Sequence, residues 1–232
     1  FVDDVSFANA AFEAGASFRG AEFEGGAHTI DDADFEAARF GGTADFKLAE
    51  FRYADFSGAE FDDTAVFVET TFADGALFQR AEFGAAALFS RTAFRAGADF
   101  SSASFGDTAH FDEVEFEADS TFADAAFAAH ATFVASEFSG SRNRHDDDAS
   151  FKSATFADGA EFDDVSFRYA NFVNTAFGDH GSFVAATVAD AVQFRPRPAD
   201  GSETLVDLTR ASISGGVLGQ PETGEAFYDC TK

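Results

Sequence analysis

From Phe61 onward, phenylalanine recurs at positions 67, 72, 78, 83, 89, 94, 100, 105, 111, 116, 122, 127, 133 and 138, in steps that alternate six and five. The residue two before each of them is small in almost every case, as with Ala65, Thr70, Ala76, Ala81 and Ala87. The residues on either side are mostly polar. An α-helix would scatter side chains placed five and six apart around its circumference, so a long helix is excluded. A half-buried strand would alternate over several consecutive residues, and here the apolar pair is followed by two or three polar or small ones. Very short strands separated by turns satisfy the pattern. If four units close one coil, the repeat is 22 residues. Phe61, Phe83, Phe105 and Phe127 then stack in one column, and Phe67, Phe89, Phe111 and Phe133 in the next.

The chain holds 34 Phe, three Tyr, no Trp and no Met, so one residue type carries the core. A hydrophobic fraction of 46% argues against general disorder. The small residue at each second position before Phe leaves the volume that the ring fills. Aromatic rings bury roughly 150–250 Å² each, enough to stabilise a rod too narrow for a conventional core. No apolar run approaches the roughly 20 residues of a membrane span, so the segment reads as soluble. A single cysteine, Cys230, leaves no internal disulfide or multi-cysteine zinc site. At the predicted inward position it reads as a small core filler.

Four segments carry a resemblance: Ala54-Asp55-Phe56-Ser57-Gly58, Ala44-Asp45-Phe46-Lys47-Leu48, Ala170-Asn171-Phe172-Val173-Asn174 and Val206-Asp207-Leu208-Thr209-Arg210. They resemble the unit of the pentapeptide-repeat proteins, and similar units cover nearly the whole chain. The resemblance implies an all-β fold, a right-handed quadrilateral β-helix with the central Phe or Leu and the preceding small residue pointing inward. The extra residue in alternate units predicts wider turns at those corners. The resemblance also implies function: some members of the family match duplex DNA in width and negative charge and bind DNA gyrase.

Interruptions of the period mark special features. Between Phe23 and Phe35 the central Phe is missing, and Gly25 to Ile30 is expected to form a bulge with Ile30 inward. Five-residue steps run together from Phe46 to Phe61 and from Phe167 to Phe177. The Phe-centred β-helix spans 1–194, with a projecting loop near 139–149. Residues 195–204 form a break, because Arg195-Pro196-Arg197-Pro198 lacks ladder donors. The repeat resumes over 205–232 with Leu208, Ile213 and Leu218, and stopping partway through a coil it reads as a piece of a longer protein.

The formal charge is −27, from 15 Lys and Arg against 42 Asp and Glu, which argues against direct nucleic-acid binding. Asp exceeds Glu by 26 to 16 and Arg exceeds Lys by 12 to 3. That balance is like the acidic, Lys-poor proteins of salt-accumulating halophiles. The 22-residue repeat also stacks like charges, with Glu82 over Glu60 and Glu137 over Glu115.

His28, His110, His130, His145 and His180 show no metal or catalytic spacing, and Asp62-Asp63, Asp112-Glu113 and Asp163-Asp164 read as solvated corners. The best local candidate is an interaction loop of Arg142, Arg144, His145, Asp146, Asp147 and Asp148. No nucleophile and base pair, phosphate loop or cofactor fingerprint is present, so neither enzyme activity nor a cofactor is expected. The leading expectation is a rigid acidic scaffold for an unknown protein partner, with a cytoplasmic location favoured. A DNA-mimicking binder of a type II topoisomerase such as gyrase is the alternative. A soluble module of a larger membrane-attached or multidomain protein is a third.

Overall fold

Each short run of small residue, polar residue and Phe forms a strand, mostly of two residues, and each strand pairs in parallel with the strand one coil away. The computed structural model describes residues 1–25, 32–140, 148–198, 205–218 and 228–229. Among these residues there is no helix, and the strands stack into a four-sided parallel β-helix of two sheets, one of 22 strands and one of ten. The coil repeat is legible in the register. Glu60 pairs with Glu82 and Glu82 with Ser104, while Phe105 pairs with Phe127, each 22 residues apart. The repeat drops to 21 where a corner is one residue shorter, as between Phe40 and Phe61. It lengthens to 28 between Phe12 and Phe40, and to 29 between Phe127 and Phe156. Those two coils carry extra chain at 26–31 and 141–147. The bulge expected at Gly25 to Ile30 therefore lies almost wholly outside the described residues.

Two kinds of corner explain the alternating step. After Phe78 and Phe100 the chain reverses in four residues, with Ala81 N–H donating to Phe78 O at 3.1 Å and Ala103 N–H to Phe100 O at 3.1 Å. The third residue of each turn, Arg80 or Ser102, lies in the left-handed region at φ 56° and 59°, as in a type II turn. The residue before the Phe braces the turn: Asp99 accepts from Ser101 N–H at 2.8 Å, and Asp55 from Ser57 N–H at 2.7 Å. These are Asx turns, which suit the short carboxylate. The six-residue steps after Phe61, Phe83 and Phe94 bend instead, so the extra residue sits in a wider corner, whereas after Phe72 the strand Thr71–Leu77 continues and takes up the extra residue in a register shift between Phe72 and Gly75.

Inside, the rings form four columns. Phe61, Phe83, Phe105 and Phe127 stack at centroid distances of 4.9, 4.8 and 4.4 Å, within 4° of parallel. Phe67, Phe89, Phe111 and Phe133 stack at 4.8, 4.7 and 4.9 Å. Across the rod, rings from facing columns meet edge to face, as with Phe56 and Phe67 at 5.3 Å and 86°. Both arrangements suit the quadrupole of the ring. Where the small inward residue is polar, its hydroxyl finds a corner carbonyl one coil below: Thr92 donates to Phe67 O at 2.6 Å and Thr175 to Phe151 O at 2.7 Å.

At 195, where the break is expected, the described chain continues as strand. The strand Thr187–Pro198 runs through both prolines, and Pro198 pairs with Phe177. In regular coils the residues flanking this column donate to the coil below, as Glu82 does to Ala59 O and Gly84 to Phe61 O. A proline standing at the ring position removes no such donor. Residues 199–204 lie outside the described part. Beyond them Leu208 is buried over Phe183, while Ile213, expected inward, is 36% exposed at the end of the described stack.

Candidate functional site

The candidate interaction loop is only partly visible. Arg142, Arg144, His145, Asp146 and Asp147 lie outside the described residues. Asp148 is described, and it is not a surface group: its side chain is 1% exposed. A buried carboxylate needs a partner, and the Arg168 guanidinium grips it with two bonds, Nε to Oδ2 at 2.7 Å and Nη2 to Oδ1 at 2.9 Å. That bond raises the Arg168 pKa above its ordinary value in spite of partial burial. A groove of about 770 Å³ opens beside the pair, lined by Glu117, Glu137, Phe138, Arg168 and Thr187 among others.

The same geometry occurs near the start of the chain, beside the bulge expected at Gly25 to Ile30. Asp32 is 1% exposed, and Arg52 holds it through Nε to Oδ2 at 2.7 Å and Nη2 to Oδ1 at 2.5 Å. Here too the hydrogen bond is the main cause of a raised arginine pKa. The signal available in the sequence was the segment Phe51-Arg52-Tyr53-Ala54-Asp55-Phe56, repeated as Phe167-Arg168-Tyr169-Ala170-Asn171-Phe172.

The remaining polar candidates are held by the fold. His110 Nδ1 lies 3.0 Å from Thr132 Oγ1 one coil above, and His130 Nε2 lies 3.3 Å from Glu161. The His130 and His180 rings face each other at 5.9 Å. His28, His145 and Cys230 fall outside the described residues. Asp62 bonds Arg39 at 2.9 Å, Asp112 accepts from Val134 N–H at 3.0 Å, and Asp163 accepts from Val184 N–H at 2.9 Å. Among the described residues no group of three or more His, Cys, Asp or Glu is placed to hold a metal ion. No helix among them is long and apolar enough to cross a membrane.

Comparison with known proteins places this geometry. Residues 29–71 and 78–126 match the sequence model of the pentapeptide repeats. Among solved structures, the chain is similar to HetL, a pentapeptide repeat protein involved in heterocyst differentiation regulation from the cyanobacterium Nostoc sp. strain PCC 7120. The identity is 12%, the alignment covers 96% of this chain and 88% of that one, and the TM-score is 0.34. No curated protein matches the chain significantly.

Proposed function

Because the chain is a pentapeptide-repeat protein, we propose that it works as a non-catalytic scaffold for protein interactions. The observation that carries this reading is the division of labour between inward and outward positions. Rings, small inward residues and turn residues are committed to the fold, and the outward residues are not. The ladder of Arg39, Glu60, Glu82, Ser104, Ala126 and Thr155 stacks charged, polar and apolar side chains at one outward position without altering the register. Such faces can be specialised for a partner at little cost to the core, as in other solenoids. The test is cross-linking in lysate of the source cells, followed by reconstitution with the purified partner. Changing Glu22, Glu50, Glu115 and Glu137 to Gln alters one face, and matching sets alter the others. Loss of binding with one face changed and circular dichroism unchanged supports the scaffold. Binding that survives changes to every face overturns it.

The charge favours a second reading, a DNA-mimicking binder of a type II topoisomerase such as gyrase. Acidic residues stack one coil apart in several ladders, with Glu22 beside Glu50, Asp34 beside Asp55 and Glu115 beside Glu137. Each such pair sets two negative charges about 4.8 Å apart. A supercoiling assay decides it. Dose-dependent inhibition beyond that of an unrelated protein of equal charge supports mimicry, and equal inhibition by both rejects it.

A further inference from the structure

The two buried ion pairs belong to one structural unit that occurs twice. Gly25, Asp32, Arg52, Tyr53 and Asp74 correspond in order to Gly140, Asp148, Arg168, Tyr169 and Asp190. In both copies the inter-coil ladder is intact up to the residue before the glycine, with Glu24 N–H donating to Phe1 O at 3.0 Å and Ser139 N–H to Phe116 O at 2.9 Å. In both it resumes at the aspartate, whose carbonyl accepts from Val5 at 3.0 Å or from Ser120 at 2.9 Å. The intervening residues are therefore added to the coil and replace none of it.

The ends of each addition are fixed by the same contacts. Gly25 and Gly140 lie in the left-handed region, at φ 63° and 59°. A Cβ on either would overlap the Asp32 or Asp148 side chain packed against it, so only glycine fits. The coil above supplies the arginine from a corner shortened to five residues, Phe51 to Phe56 or Phe167 to Phe172, in a continuous strand. The next coil adds a second carboxylate to each, Asp74 at 3.7 Å from Arg52 Nε and Asp190 at 3.8 Å from Arg168 Nε. The small residues Gly75 and Ala191 pair with Tyr53 and Tyr169.

What lies between the anchors has little in common beyond a histidine and the Asp that precedes each anchoring aspartate. The first copy has six residues, Gly26 to Asp31, and the second has seven, Ser141 to Asp147, including Arg142 and Arg144. We propose that the Gly, Asp and Arg set is an anchoring frame that holds an inserted segment in the coil whatever its sequence. The two frames lie on one corner of the rod, five coils apart, or about 24 Å at strand spacing. Loop closure depends only weakly on length once the ends are fixed, which accounts for the one-residue difference. Arg52 and Arg168 are positioning residues. The claim concerns folding and stands apart from the scaffold reading.

The test uses the full chain. Replacing residues 26–31 by the sequence of 141–147 is expected to leave the thermal midpoint within about 2 °C of the parent, where a core change would shift it further. Arg168→Gln is expected to speed tryptic cleavage at Arg142 or Arg144 by roughly tenfold or more, because local opening governs proteolysis. Arg168→Lys should behave like Arg168→Gln, since an ammonium cannot form the two-bond fork. Arg52→Gln is expected to leave cleavage at those two sites unchanged. Unfolding of the exchanged chain overturns the proposal. So does parental cleavage in Arg168→Gln, or an equal rise in Arg52→Gln, which would show a global loss of stability in place of local anchoring.

Discussion

Phe89 shows what a single ring does in this rod. It is fully buried, stacks on Phe67 at 4.8 Å and on Phe111 at 4.7 Å, and meets Phe78 and Phe100 edge to face at 5.5 and 5.4 Å. Parallel strands above and below fix the backbone, so the site cannot collapse around a smaller side chain. Phe89→Ala is expected to cost about 3–5 kcal/mol, read by chemical denaturation. The partly exposed Phe12, at the end of its column, should cost less when changed in the same way; equal losses would mean that the columns do not set stability. These rings were legible in the sequence because one residue type marks every inward centre from Phe35 to Phe183. Asp32 and Asp148 were not legible as anchors. Each finds its arginine 20 residues on, a separation so close to the coil repeat that it disappears into the period. Nothing local distinguishes a buried Asp148 from the acidic residues before it.

At the scale of the corner, the sequence shows the step length and hides the backbone conformation. The five-residue corners place many residues other than glycine in the left-handed region, among them Glu69, Arg91 and Ala135 at φ 59°, 58° and 56°. That region costs a residue with a Cβ roughly 1–2 kcal/mol, and the cooperative ladder overrides local preference. Ala135 is exposed. Ala135→Gly is expected to stabilise the protein by about 0.5–1 kcal/mol, the left-handed penalty less the extra entropy of the unfolded chain; destabilisation in thermal melts would contradict the assigned turn. At the equivalent position one coil apart, Glu69 and Arg91 pair at 2.8 Å, and this hydrogen bond lowers the Glu69 pKa below its ordinary value. A carboxylate with a lowered folded-state pKa adds stability above the usual carboxylate range and loses it as pH falls through the lowered value. Glu69→Gln should therefore melt below the parent at pH 7, and the gap should close as pH falls through the lowered Glu69 value. A constant difference across that range would show that the pair contributes through packing and not through charge.

Over the whole molecule, the charge balance and the coil register act together. Several coils set outward carboxylates beside those of the next, with Glu60 beside Glu82 and Glu115 beside Glu137 in direct register. Two unit charges one strand spacing apart repel by about 0.9 kcal/mol even in bulk water, and only some are relieved by arginine, as Glu60 is by Arg39 at 3.5 Å. Salt screens both kinds of contact, so the direction of its effect depends on which outnumbers the other. With 42 acidic residues against 15 basic ones, repulsion prevails. The Debye length falls from about 10 Å at 0.1 M to about 3 Å at 1 M, well below the spacing of the ladder. The midpoint of thermal unfolding should rise as KCl goes from 0.1 to 2 M. The rise should be smaller in a chain carrying Glu60→Gln and Glu82→Gln, because the ladder itself is the source of the strain. A rise of equal slope in both chains would assign the effect to the general exclusion of salt from protein surfaces, and a flat or falling midpoint would show that the favourable ion pairs dominate.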